Sequence, residues 1–291
     1  MTAAGTRPHT VTIDLDGAWC YRAIHGVAGA HDDAHDEDGD PILQEGLPRF
    51  LECCARLDVR ATLFVVGRDL RRPAFARLIA QAAAAGHDVM SHSFGHAYDL
   101  ADAAPAALDD DLGRARDAIA AVTGVVPRGF RAPGYTTSDA LWGALLRAGF
   151  QWSSSVLPSP PYLAARSLVR LRTRVTGGRS ASQAGSWRAF SPLFASPPLP
   201  LQEFPISTAL GLPWTGTTLA LLPDRAADAL TTLALHTPRP AHRPLVFELH
   251  AADFADGRHL PRAQPDAHVP LADKLRRLER TLMRLAQTPD M

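Results

Sequence analysis

Two aspartates, Asp14 and Asp16, close the β-branched run Val11-Thr12-Ile13-Asp14-Leu15-Asp16-Gly17. Side chains spaced i and i+2 on a strand point to one side, so the two carboxylates enter one cavity. Like charges that close repel, and one protonates unless a cation lies between or beside them. Two chemistries use such a pair. In phosphoryl transfer Asp14 is a nucleophile and Asp16 an acid. In metal-dependent acyl hydrolysis one carboxylate holds the metal and the other works on water.

Further along, "SHSFGH" carries His92 and His96, "FRAPGY" carries Arg131, and "FELH" carries His250. His92 and His96 are spaced i and i+4, so a helical turn after the strand would put both imidazoles on one face. Two imidazoles and one carboxylate make a three-ligand tetrahedral site with an open position, the arrangement of a zinc that holds a catalytic water. Arg131 can hold the second carboxylate and lower its pKa by proximity. His250 can supply a proton to a leaving group. Singly, each is weak. The chain has 12 histidines, and a lone buried arginine is ordinarily a structural ion pair. The joint occurrence, in this order and at strand ends, carries the reading.

These residues need a scaffold that gathers strand ends. Strand-like and helix-like segments alternate: strands near 11–17, 60–67, 87–93, 127–134, 150–156, 201–207 and 244–254, with helices near 47–58, 75–86, 101–123, 138–149 and 270–286. Gly86, Gly124 and Gly149 stop helices just before strands. Repeated strand–helix units imply a parallel sheet, and about seven imply a distorted (β/α) barrel with its site at the C-terminal ends of the strands. No repeat or linker divides residues 1–291, so one domain is expected, with insertions at 26–43 and 157–200.

Composition narrows the class. The chain of 291 residues is 46% hydrophobic and 21% charged, with zero formal net charge, so no nucleic-acid-binding stripe is expected. Three cysteines, Cys20 and the adjacent Cys53 and Cys54, do not suggest a disulfide framework. The first ten residues lack an apolar secretory segment, and no run of 18 apolar residues exists. A cytoplasmic protein is the expectation.

The set "TIDLDG", "SHSFGH", "FRAPGY", "GFQWSSSV" and "FELH" resembles the NodB-type polysaccharide deacetylase family, which is similar to carbohydrate esterase family 4. The resemblance spans about residues 11 to 254, with "RATLFVVG" and "LQEFPIS" as supporting strands. It implies a distorted barrel and metal-dependent removal of an acyl group, most often acetyl from an amino sugar. It implies Asp14 as general base, Asp16, His92 and His96 as ligands of one divalent transition metal, foremost zinc, and Arg131 as the tether of Asp14. It implies a backbone N–H near Gly134 or Tyr135 for the oxyanion, His250 as acid, and Trp152 in the acetyl pocket.

Three departures qualify this. Leu15 separates the aspartates that are adjacent in the common motif, as in an intracellular branch that includes lipid-linked aminoarabinose deformylases. Gly134 is extra before Tyr135, and Ser153 stands where an aspartate is usual. Two other readings stay open. "DLDG" also looks like the first motif of haloacid dehalogenase-type phosphatases, but Ala18 follows the glycine and the only lysine, Lys274, lies in the last helix. The Ser153 departure motivates a metal-binding barrel without turnover.

The insertions bear on the substrate. Residues 161–175 carry four arginines among long apolar residues. A surface helix packed on the barrel is the plainer expectation. A helix lying on an anionic membrane, where it meets a lipid-linked N-acylated sugar at the inner face, is the sharper one. The acidic stretch 26–43, with His31, His35, Asp32, Asp33, Asp36, Glu37, Asp38 and Asp40, is expected to be a solvated lid rather than a second metal site.

Overall fold

In a computed structural model, residues 8–27, 39–164, 166–167, 197–239 and 243–288 are described. Seven parallel strands form one curled sheet, a half-barrel, in the order β6-β5-β4-β3-β2-β1-β9. They are β1 (Val11–Leu15), β2 (Ala61–Val65), β3 (Asp88–Ser91), β4 (Gly129–Phe130), β5 (Trp152–Ser153), β6 (Gln202–Glu203) and β9 (Phe247–His250). The distorted-barrel expectation holds. A small antiparallel hairpin, β7 (Thr208–Ala209) with β8 (Leu212–Pro213), precedes the last strand. It lies where the sheet would close: Ser207 N–H donates to Val246 O at 3.0 Å, and Thr215 bridges Glu248.

Strand parity sets what faces where. Every residue of β1 and β2 is buried, because a parallel sheet is covered on both faces. Val11, Ile13, Leu15, Leu63, Val65, Phe247 and Leu249 pack outward in one large apolar cluster under the helices. Phe64, Met90, Trp152, Phe204 and Val246 form a second cluster on the alternate, inner positions. Thr12, Asp14, Glu248 and His250 occupy those same inner positions, with Asp14 and His250 at the rim.

Among the described residues, the helices with both ends defined are α1 (Ala18–Ile24), α2 (Pro41–Leu57), α3 (Pro73–Ala84), α4 (Pro105–Thr123), α5 (Asp139–Arg147), α6 (Gly216–Leu221), α7 (Asp224–His236) and α8 (Leu271–Ala286). Three of them, α1, α6 and α7, are not evident from periodicity. The helix expected at 47–58 starts six residues earlier. Asp40 caps it, accepting from Ile42 and Leu43 N–H, and also accepts from Ala18 N–H at 2.7 Å. Asp40 is buried and joins the starts of α1 and α2, so it is no part of a solvated lid. The remaining acidic residues expected in that lid, Asp32, Asp33, Asp36, Glu37 and Asp38, with His31 and His35, lie outside the described residues. So does most of the basic segment 161–175; residues 160–164 and 166–167 are helical. No helix among the described residues is long and apolar enough to cross a membrane.

Candidate active site

The site is built on β1. Its Asp14 registers with Phe64 of β2 on one side and His250 of β9 on the other. Asp14 and Asp16 are both buried, as the i, i+2 spacing requires of a strand end pointing inward. Gly17 then lets α1 begin at once.

His92 follows β3 directly, while His96 lies on a loop. No helical turn joins them. Ser93 and His96 both take left-handed backbone, φ 63° and 52°. The loop is pinned instead by side chains. Asp111 of α4 accepts from Phe94 and Gly95 N–H, both at 2.9 Å, and Ser93 Oγ accepts from His96 N–H at 2.8 Å. The result gathers both imidazoles on Asp16: Oδ1 lies 3.4 Å from His92 Nε2 and 3.1 Å from His96 Nε2.

Arg131 follows β4 and is fully buried. Its Nη1 donates to Asp14 Oδ1 at 2.7 Å and Thr12 Oγ1 at 3.1 Å. Its Nε donates to Ser154 O at 2.8 Å and Nη2 to Ser154 Oγ at 2.9 Å. The guanidinium also lies 4.1 Å from the Phe64 ring centroid, a favourable cation–π contact. The Ser153 departure therefore does not leave Arg131 without support. Ser153 Oγ pairs with Ser155 Oγ at 2.8 Å, and Thr12 and Ser154 supply the bonds to the arginine.

His250 ends β9, and its N–H donates to Asp253 Oδ2 at 2.8 Å. Burial works against a charged imidazole, but Glu248 and then Asp14 push its pKa up to about 9. Glu248 was not anticipated. It is fully buried, accepts from Tyr135 Oη at 2.7 Å, and lies 3.9 Å from Arg131 Nη1. Burial, then Asp14, push its carboxyl up to about 7. The signal was present: Glu248 is two residues before His250 on the same strand, the spacing that drew attention to Asp14 and Asp16.

These groups open on a cavity of about 350 Å³. Asp14, Asp16, His92, Glu248 and His250 line one side, and Tyr21, Tyr98, Tyr135 and Tyr162, with Arg166 and Thr215, are among the residues that line the rest. Gly134 and Tyr135 are both in the lining, and both have left-handed backbone, φ 60° and 57°. A side chain at Gly134 would strike the Tyr98 ring at 2.6 Å. The extra glycine thus permits a tight turn that aims the Tyr135 hydroxyl at Glu248.

One expectation needs correction. Trp152 does not line the cavity. It is fully buried between Phe64 and Phe204, ring centroids 5.9 and 6.0 Å away, and lies so close to Gly129 that an added Cβ there would meet it at 2.1 Å. Its inward position fills the barrel below the site with core. Of the two backbone N–H groups in the Gly134–Tyr135 turn, that of Tyr135 is donated to Ala132 O at 3.1 Å.

The donor set suits a divalent transition metal. Asp16 Oδ1 and His96 Nε2 are buried 3.1 Å apart with no hydrogen-bond partner outside this cluster, and a cation between them would take up both lone pairs. His92 Nδ1–H donates to Arg131 O at 2.8 Å, which turns the unprotonated Nε2 toward Asp16, the usual orienting contact of a ligating histidine. Burial and the paired charges also set proton occupancy. Burial raises the Asp16 pKa, but His96 and His92 hold it below the ordinary carboxylate range, while burial keeps His92 low. Cys20 of α1 places a sulfur within 4.8 Å of both Asp16 and His96 ligand atoms. Lys274 is remote from this chemistry: it is buried against Asp266 Oδ2 at 3.0 Å and Ala252 O at 3.1 Å, so it provides no phosphate-binding charge.

The chain is similar to known proteins. The family profile described as polysaccharide deacetylase matches residues 32–153, beginning after Asp16 and ending before Glu248. A Helicobacter pylori peptidoglycan deacetylase is 28% identical over 148 residues, which are 50% of this chain and 48% of that protein. The chain thus spans about half the length of the curated relative it matches. A crystal structure from Mycobacterium smegmatis, titled as that of a candidate polysaccharide deacetylase, shares the fold at 19% identity and a TM-score of 0.56, covering 99% of this chain and 89% of that one.

Proposed function

Because this chain is a relative of the polysaccharide deacetylases and has their fold, we propose that it is a metal-dependent hydrolase that removes an acetyl or formyl group from the nitrogen of an amino sugar or sugar-like molecule. One observation carries the reading. Asp14, Asp16, His92 and His250 line a single cavity, with Arg131 buried against Asp14 and His96 against Asp16.

Asp16, His92 and His96 would hold the metal, zinc before others, which when bound polarises the acyl carbonyl and acidifies water. Everything else is done by side chains. Asp14 accepts the proton of the attacking water at Oδ2, since Arg131 occupies Oδ1. Arg131, itself fixed by bonds to Thr12 and Ser154, holds the Asp14 carboxylate in place through its bond to Oδ1. The water oxygen bonds to the carbonyl carbon, and the Gly134 N–H stabilises the oxygen that becomes negative. His250, cationic below about pH 9, protonates the nitrogen as the C–N bond breaks. A carboxylic acid and an amine are released.

A lipid-linked substrate at the inner face of a membrane is the narrower form of this proposal. It rests on the basic residues of 157–200, most of them outside the described residues.

The test starts with metal. Elemental analysis of protein purified without chelator is expected to find about one equivalent of zinc or a similar metal, and hydrolysis of N-acyl amino sugars to require it. Absence of metal, with no uptake on addition, would overturn the reading.

A further inference from the structure

Glu248 is more than a neighbour of His250. One carboxylate oxygen, Oε1, is engaged by the Tyr135 hydroxyl at 2.7 Å. The other, Oε2, is buried and has no hydrogen-bond partner, and the residue lines the cavity. Arg131 does not supply the missing partner: its closest approach to Glu248 is 3.9 Å, to Oε1, and its guanidinium is turned to Asp14, Thr12 and Ser154. A buried acceptor without a donor is costly, and one held in place at a cavity wall is a recognition group in waiting.

Three kinds of partner could reach Oε2. A cation is disfavoured by charge balance. Asp14, Asp16 and Glu248 are already met by Arg131, by His250, whose ring nitrogen lies within 4.8 Å of a Glu248 carboxylate oxygen, and by the divalent ion that the cluster at Asp16 fits. An apolar group would leave the acceptor unpaired. A neutral hydroxyl or N–H satisfies it at no electrostatic cost. The cavity of about 350 Å³ encloses a molecule near the size of one sugar ring, at the small end of ligand sites.

We propose that Glu248 selects the substrate: its Oε2 accepts a hydrogen bond from a hydroxyl or N–H borne next to the scissile acyl group. This rests on the acyl-hydrolase reading of the cavity. The substrates it favours are small N-acylated molecules with a neighbouring donor, and acyl compounds without one are poor.

The metal-containing protein and its Glu248→Gln variant are to be compared on N-acetyl-D-glucosamine, which has hydroxyls beside its amide, and 4-methylumbelliferyl acetate, which has no donor. Glutamine keeps an acceptor for Tyr135 but presents N–H₂ in place of Oε2. The ratio of kcat/KM, sugar over ester, is expected to fall about tenfold or more, because a site built for a donor rejects its absence strongly and its own mismatch equally. Affinity for D-glucosamine, read by calorimetry, is expected to fall by a similar factor. An unchanged ratio overturns the proposal, whether both reactions fall together or neither moves, since Glu248 then serves the reacting groups alone. If the unsubstituted protein hydrolyses neither compound, the acyl-hydrolase reading fails, and calorimetry decides recognition by itself. Equal affinity in the two proteins, absence of binding included, overturns it. Glu248→Asp, which keeps the charge and withdraws the acceptor, is expected to lower the same ratio and serves where the glutamine variant does not fold.

Discussion

Arg131 Nη1 lies 2.7 Å from Asp14 Oδ1 across 117 residues of chain, and neither side chain is more than 2% exposed. The contact joins the strand-end carboxylate of β1 to the segment after β4. A buried guanidinium needs partners for its donors, and its remaining bonds go to Thr12 and Ser154. The arginine therefore sets the position of Asp14.

Replacing Arg131 by lysine tests that relationship. The charge stays, but the planar fork is lost, so the bonds to Asp14 and Ser154 cannot all form. The kcat/KM for acyl hydrolysis is expected to fall by about a hundredfold or more, the scale of a misplaced general base. Bound metal, measured by elemental analysis on the same sample, is expected to be retained.

Metal retention itself is tested at the histidines. The His92→Ala/His96→Ala double variant leaves Asp16 as the single anticipated ligand. Protein purified in parallel is expected to carry little or no transition metal where the unsubstituted protein carries about one equivalent. Undiminished metal in the double variant would move the site elsewhere, with Cys20, within 4.8 Å of Asp16, the first residue to examine.

Lys274 gives a stability prediction. Its ammonium is fully buried against Asp266, itself 1% exposed. Lys274→Met strands that carboxylate without its partner, and the expected loss is about 3–5 kcal/mol in urea unfolding. Changing Asp266 to asparagine as well should recover much of it, because no buried charge is then left unpaired.

His87 gives the pH dependence. Its Nδ1 accepts from Ala61 N–H at 3.2 Å at the start of β2. Burial, and then Arg60, push its pKa down from 6.5 to about 4. The folded state thus favours the neutral ring. Stability from this group is complete above pH 6.5, falls as pH drops through that value, and stops falling below about pH 4. His87→Gln keeps an acceptor for Ala61 and does not titrate. Denaturant midpoints between pH 7 and 4 are expected to decline less in the variant.

Much of this was readable in advance for a specific reason. Strand ends that carry ionisable residues stand out against buried β-branched runs, and the periods of 2 and 3.6 separate strands from helices. Asp14, Asp16, His92, His96, Arg131 and His250 were found that way. Trp152 was misplaced because its position depends on which inner layer of the barrel it fills, and neighbours far along the chain, Phe64 and Phe204, decide that. α1 and α6 are too short for periodicity to mark, and Asp40 looked like one more acidic loop residue until its two cap contacts were seen.

The amino-acid sequence by itself determined the parallel α/β architecture and the residue types at its strand ends, since both follow from local hydrophobic period and turn chemistry. Only the tertiary structure decided how those residues meet. It chose a looped rather than helical approach for His92 and His96, gave Arg131 its partners on Thr12 and Ser154, and turned Tyr135 onto Glu248. Each is a contact between segments distant along the chain, set by packing and by the need to satisfy buried polar groups, and no local pattern encodes such contacts.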